Sequence, residues 1–170
     1  MRAVGFLAGV GSLLWEARDL GCDIVGNIDT RPYYKRAPWV WPLNFPEAPF
    51  FHTFEELTAT RPSGWFNADV ALGHPPCGKY SRLGNSGARV ERFNDEERAE
   101  WHAKRRRDLG LIPLFIQLVN KFKPKTFALD NLPKMLTAIS PGEWDELLPD
   151  YRVQFITIVN WDYGSPQKRK

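Results

Sequence analysis

The chain has little cysteine, no long apolar run and no strong excess of one charge. Cys22 and Cys77 are the only cysteines among 170 residues, too few for a disulfide framework and without the paired spacing of a zinc site. No metal is expected, and two free thiols suit a reducing, cytoplasmic compartment. No apolar stretch reaches the roughly 18 residues a membrane-spanning helix needs. The opening apolar run, residues 3–14, is broken by glycine and flows into an amphipathic segment, unlike a signal peptide. The formal net charge of +3 is mild. It permits a nucleic-acid partner without requiring one. There is no internal repeat and no low-complexity tract.

What is present is an ordinary globular composition, 43% hydrophobic and 25% charged. Seven Trp, eleven Phe and fourteen Pro predict aromatic packing interrupted by loops. The length suits a single domain spanning residues 1–170, large enough to bury a sizeable core. The hydrophobic pattern predicts a buried strand over residues 3–7, a small-residue turn Ala8-Gly9-Val10-Gly11-Ser12, and a helix over 13–20 stopped by Gly21. A second strand, 23–29, ends on an acid. That order opens a nucleotide-binding α/β fold. Residues 31–51 read as a loop-rich connection with one helical turn. Thr53 is placed to cap a short helix, with Glu56 three residues on. Further strands are expected at 68–72, 125–129 and 151–159, and helices at 109–122 and 144–148. Strands alternating with helices imply a mostly parallel sheet covered on both faces.

Four stretches carry candidate chemistry. Gly9 and Gly11 let backbone approach a ligand, and the helix start after Ser12 favours polar or anionic groups. Asp29, at the end of the second strand, stands where acids bind ribose hydroxyls. Gly73-His74-Pro75-Pro76-Cys77 closes the third strand, so a thiol faces the crevice where ligands of open α/β sheets bind. The two prolines stiffen its approach, and Lys79 favours the thiolate. Asp130 ends the fourth strand, and turn chemistry explains it equally well at this stage. Gln167-Lys168-Arg169-Lys170 on its own reads as a solvated basic tail. Between these, residues 79–107 set nine Lys and Arg against five Asp and Glu, a surplus of four.

Together the four stretches resemble the DNA cytosine C5-methyltransferase family, in the family's order. Leu7-Ala8-Gly9-Val10-Gly11 is similar to its first motif, and Gly73-His74-Pro75-Pro76-Cys77 with Tyr80-Ser81 to its Pro-Cys motif. The stretch from Lys123 through Asp130-Asn131-Leu132 resembles the strand ending in Glu-Asn-Val, and Tyr163-Gly164-Ser165-Pro166-Gln167-Lys168-Arg169 the family's last basic motif. The resemblance implies a Rossmann-like, S-adenosylmethionine-dependent methyltransferase fold. It implies S-adenosyl-L-methionine as cofactor, with S-adenosyl-L-homocysteine as product, held by Leu7, Ala8, Gly9, Gly11, Ser12, Asn27 or Asp29, Gly73 and Pro75. Cys77 is then the nucleophile at cytosine C6, Asp130 the acid at N3, and Arg169, Pro76 and Ser81 the frame around them. Double-stranded DNA is the implied partner, contacted by Lys79, Arg82, Arg89, Arg92 and Gln167. The implied setting is the cytoplasm of a prokaryote or a phage-infected cell.

Departures from the family pattern are specific. Leu7 replaces a Phe, Asn27 falls where the family has a ribose-binding Glu, Gly78 replaces a Gln, and Asp130 replaces a Glu. The target-recognition region expected after the last motif is absent from these residues, which leaves three readings: a further C-terminal region, a second subunit, or a decayed remnant of the enzyme. Two other readings stand beside this one. An amino-methylating enzyme would carry an aromatic where Cys77 stands, and a non-catalytic module would bind cofactor or DNA without turnover.

Overall fold

The computed structural model describes residues 1–30, 37–77, 94–137 and 139–158, with backbone alone at 37–38 and 98–110. The apolar amino-terminal run forms β1 (Arg2–Phe6), flanked by β2 (Asp23–Ile28) and β4 (Val70–Gly73). Beyond them lie β3 (Phe50–Phe51) and β5 (Thr126–Leu129), giving the order β3-β2-β1-β4-β5 with every pairing parallel. Helices α1 (Ser12–Asp19), α2 (Ala37–Asn44), α3 (Phe54–Thr60) and α4 (Asp95–Phe122) intervene. The α/β alternation expected from sequence is the architecture observed.

The pleat sends alternate residues of β1 to opposite faces. Ala3 joins Leu14 and Ala17 of α1 and Trp41 of α2 in one apolar cluster that also holds Cys22. Phe6 turns the other way, onto Trp65 and onto Phe115 and Phe122 of α4. Helices therefore cover both faces, as a parallel sheet requires. Gly73 is a packing necessity, because a Cβ there would overlap the Phe115 ring. A bulge in β2 at Val25 strengthens the frame. The register slips between Ala3 and Val4, and the freed Val25 carbonyl accepts a 2.7 Å bond from the Trp65 indole.

Several elements differ from their expected form. The connection at 31–51 contains two turns of α2 despite Pro42. Burial of Trp41, whose indole donates to the Ala48 carbonyl at 2.6 Å, outweighs the proline's cost. Helix α4 begins fourteen residues before the expected start at residue 109. Asn94 and Glu97 form a capping box there, with bonds of 2.8 and 2.9 Å. The predicted box at Thr53 and Glu56 is present and opens α3.

The chain falls into two compact units, Met1–Leu132 and Pro133–Lys170. The second contains a 3-10 turn, Pro133–Thr137, and α5 (Pro141–Leu147), with Trp144 and Leu148 buried. The expected strand at 151–159 does not form over residues 152–158. Phe155, Ile156 and Ile158 are exposed there. An apolar run becomes a strand only against a ladder partner, and none of the described strands pairs with it. Among the described residues no helix is long and apolar enough to cross a membrane.

Candidate active site

In a sheet of this order the chain leaves β1 toward one side and β4 toward the other, opening a crevice outside the carboxyl ends of the strands. The glycine turn follows β1 and the Pro-Cys loop follows β4, so both stand at that switch point. Asp29 follows β2 and Asp130 follows β5 along the same edge.

The glycine turn takes left-handed backbone at Leu7, Gly9 and Gly11, with φ of 62°, 63° and 91°. Leu7 is the costly one, since its Cβ crowds this conformation. Side chains of β2 hold the turn in that shape. Asn27 accepts from the Ala8 N–H at 3.3 Å and donates to the Gly9 carbonyl at 3.0 Å, while Asp29 accepts from the Gly9 N–H at 2.8 Å. Asn27 is fully buried, and Gly5 beneath it is obligatory because a Cβ would strike the Asn27 amide. Both polar ends of Asn27 thus serve the backbone, so a ribose contact there would have to displace the turn's own bonds. Leu7 is fully buried too, whereas Ser12 is exposed at the start of α1. No side chain caps that helix, which leaves its first N–H groups as donors at the crevice.

The second loop leaves β4 at Gly73. Pro75 is buried, and Cys77 is half-buried with a free thiol, in contrast to core-bound Cys22. The neighbouring strand braces this loop from the side. The Asp130 N–H donates to the Gly73 carbonyl at 2.9 Å and extends the ladder by one rung. The Asn131 amide donates to the Pro75 carbonyl at 3.1 Å, while its oxygen accepts from the Leu132 N–H at 2.8 Å. The Asp130 carboxylate meets His74 Nδ1 at 3.0 Å. That hydrogen bond holds the Asp130 carboxyl below the usual carboxylate range, against an opposing effect of burial.

The structure thus gathers Cys77 with its loop, Asp130, Gly73, Pro75 and Pro76 at one edge, with Ala8, Gly9, Gly11, Ser12, Asn27 and Asp29 at the same edge beyond β1. Lys79, Ser81, Arg82, Arg89, Arg92, Gln167 and Arg169 lie outside the described residues. Two functional candidates escaped sequence reasoning, His74 and Asn131. The signal lies in the strand register, which the sequence does not display. Gly73 pairs with Leu129, so the next residues of the two strands, His74 and Asp130, are neighbours. A shallow groove bordered by Phe54, Thr58, Arg61 and Lys121 contains none of these residues. Among the described residues no three His, Cys, Asp or Glu side chains gather as metal ligands would.

A parallel sheet of this order, with a clamped glycine turn after β1, is a Rossmann-like α/β fold. The match is more particular than that class. The family model for C-5 cytosine-specific DNA methylase covers residues 1–170, and the chain belongs to that family. A type II methyltransferase, M.Bpa9945I of Bacillus paralicheniformis, is 28% identical over 117 residues, which is 61% of this chain and 24% of that protein. The chain therefore spans about a quarter of that relative's length. A crystal structure described as that of a DNA modification methyltransferase encoded within an E. coli prophage shares the fold, with a TM-score of 0.57 at 18% identity. The likeness covers 88% of this chain and 37% of that one.

Proposed function

We propose that this chain performs methyl transfer from S-adenosyl-L-methionine to C5 of cytosine in double-stranded DNA, through a bond between Cys77 and cytosine C6. One observation carries the reading. A half-exposed thiol and a carboxylate stand on adjacent strand ends, and Asn131 ties the thiol's loop to the strand that bears the acid.

The chemistry suits that pair. Cytosine C5 is a poor nucleophile until a thiolate adds at C6, which is the role of Cys77. Addition drives electrons through the ring toward N3, where Asp130 offers a polar partner. The bound cofactor supplies the electrophilic methyl group that C5 takes. The backbone donors at the start of α1 suit such a ligand, with Asp29 nearby, and Asn27 acts by holding the turn. Loss of the C5 proton and expulsion of the Cys77 thiolate restore the ring. A stacked base is out of reach of these groups, so the target cytosine must leave the duplex. Lys79, Arg82, Arg89 and Arg92 suit phosphate contacts by charge. Ser81 and Arg169 take the family's framing positions around the base, and Gln167 that of a DNA contact.

The test is a covalent trap. DNA containing 5-fluorocytosine, mixed with the protein and S-adenosyl-L-methionine, should yield a denaturant-resistant adduct that Cys77→Ser abolishes. The same preparation should transfer labelled methyl to cytosine DNA. Absence of both adduct and transfer across DNA of mixed sequence refutes the reading. Cofactor binding without either would leave a binding module.

A further inference from the structure

We propose that His74 is a positioning residue of this reaction, fixing the Asp130 carboxylate and supplying through it the proton that cytosine N3 takes as Cys77 adds to C6. The inference rests on the methyl-transfer reading above and assigns a second residue to its acid.

His74 is the first residue beyond β4 and Asp130 the first beyond β5, and the parallel register sets them side by side. The contact is 3.0 Å between Nδ1 and Oδ2, hydrogen-bond length. Both side chains remain open to solvent, at 42% and 60% of full exposure. A pair this exposed contributes little to folding. Its placement is therefore better explained by what approaches it than by stability. Three residues after His74 stands Cys77, so thiol, imidazole and carboxylate share one loop and its neighbour. Asp29 closes the far side of the edge, beyond β1.

The chemistry then asks for a proton. Because its bond to His74 keeps the carboxyl low, Asp130 is ionised near neutrality, and a bare carboxylate accepts hydrogen bonds but has nothing to give N3. An imidazolium against it changes that. The thiolate electron pair forms the S–C6 bond, the C5–C6 π pair shifts to C4–C5, and the C4–N3 π pair moves onto N3. Asp130 takes the Nδ1 proton of a protonated His74 and passes it to N3, leaving neutral imidazole and the carboxylate. The N3 proton returns by the reverse route once C5 carries its methyl group, so the pair ends as it began.

His74→Gln separates holding from proton supply, since an amide can donate a hydrogen bond but cannot release a proton at any working pH. With the full protein, kcat for His74→Gln should fall on the order of 100-fold, with KM for DNA unchanged. The alkaline limb of the wild-type kcat profile, where the pair has lost its proton, should vanish in the variant. Added imidazole should restore part of the activity of His74→Ala. In the wild type, the ¹⁵N signals of the His74 imidazole should titrate together with that limb, a measurement independent of whether either variant folds. An unchanged kcat and pH profile in His74→Gln, or imidazole signals that titrate apart from the limb, overturns the assignment while the wild-type 5-fluorocytosine adduct still supports the parent reading. A wild type that forms no adduct and transfers no methyl refutes both.

Discussion

Asn131 divides one amide between two backbones. Its Nδ2 holds the Pro75 carbonyl and its Oδ1 holds the Leu132 N–H. Each such bond contributes about 1 kcal/mol net, so Asn131→Ala should lower thermal stability only modestly. The catalytic effect should be much larger. Pro75 lies two residues before Cys77, and freeing its carbonyl lets the thiol drift. A displacement of about 1 Å at a reacting group costs on the order of 100-fold in rate. Methylation kinetics should therefore show kcat for Asn131→Ala down by about that factor, with a small change in unfolding midpoint. A variant that keeps its kcat would mean that the two prolines alone fix the loop. The shorter acid makes this bracing more consequential, because Asp130 reaches one methylene less far than the glutamate it replaces.

At the scale of elements, β2 acts on β1 through side chains as well as through the ladder. Asn27 and Asp29, alternate residues at its carboxyl end, take three polar groups of the glycine turn between them. Asn27→Ala would strand the Ala8 N–H and the Gly9 carbonyl in a buried setting. Unfolding by urea should show a loss of about 1–3 kcal/mol, and calorimetry should show weaker S-adenosyl-L-methionine binding. An unaltered affinity would show that Leu7 and the glycines hold the turn without help. How much of this the sequence displayed depended on range. Local signals were legible: the Thr53–Glu56 box, Gly21 after α1, and the glycines whose positive φ the turn demands. The carboxyl-edge placement of Cys77 and Asp130 followed from strand ends alone. Features set by a partner element were hidden. Asn27 looked like a substituted ribose ligand, because nothing local says that a buried amide will fold back onto residues 8 and 9. The Val25 bulge answers to Trp65, forty residues away. Residues 152–158 had a strand's pattern and form no strand.

Over the whole molecule, the sheet's two edges carry different duties. At the amino edge Asp69 joins three strands. It accepts the Arg2 backbone N–H at 2.7 Å, at the first residue of β1, and the Lys125 ammonium at 2.6 Å, beside the start of β5. The Lys125 bond, then the Arg2 bond, lowers the Asp69 pKa from its ordinary 3.8. The sign follows from linkage. A group whose folded pKa is depressed binds its proton more readily when unfolded, so its contribution is complete above the ordinary value and fades as pH falls through the folded one. Asp69→Asn should therefore lower the unfolding temperature at neutral pH and lose less than the wild type on acidification below about pH 4. The two proteins should converge at the lowest pH. Asp130, at the opposite edge, is depressed in the same direction by His74, so its replacement should also flatten the acid limb. The edges separate in activity. Asp69→Asn should leave kcat intact at temperatures where it is folded, whereas Asp130→Asn should lose kcat while remaining folded. Because the two residues share no partner, the stability changes of the double variant should add to within about 0.5 kcal/mol. Strong coupling between them would show that the sheet transmits strain from its clamp to its site.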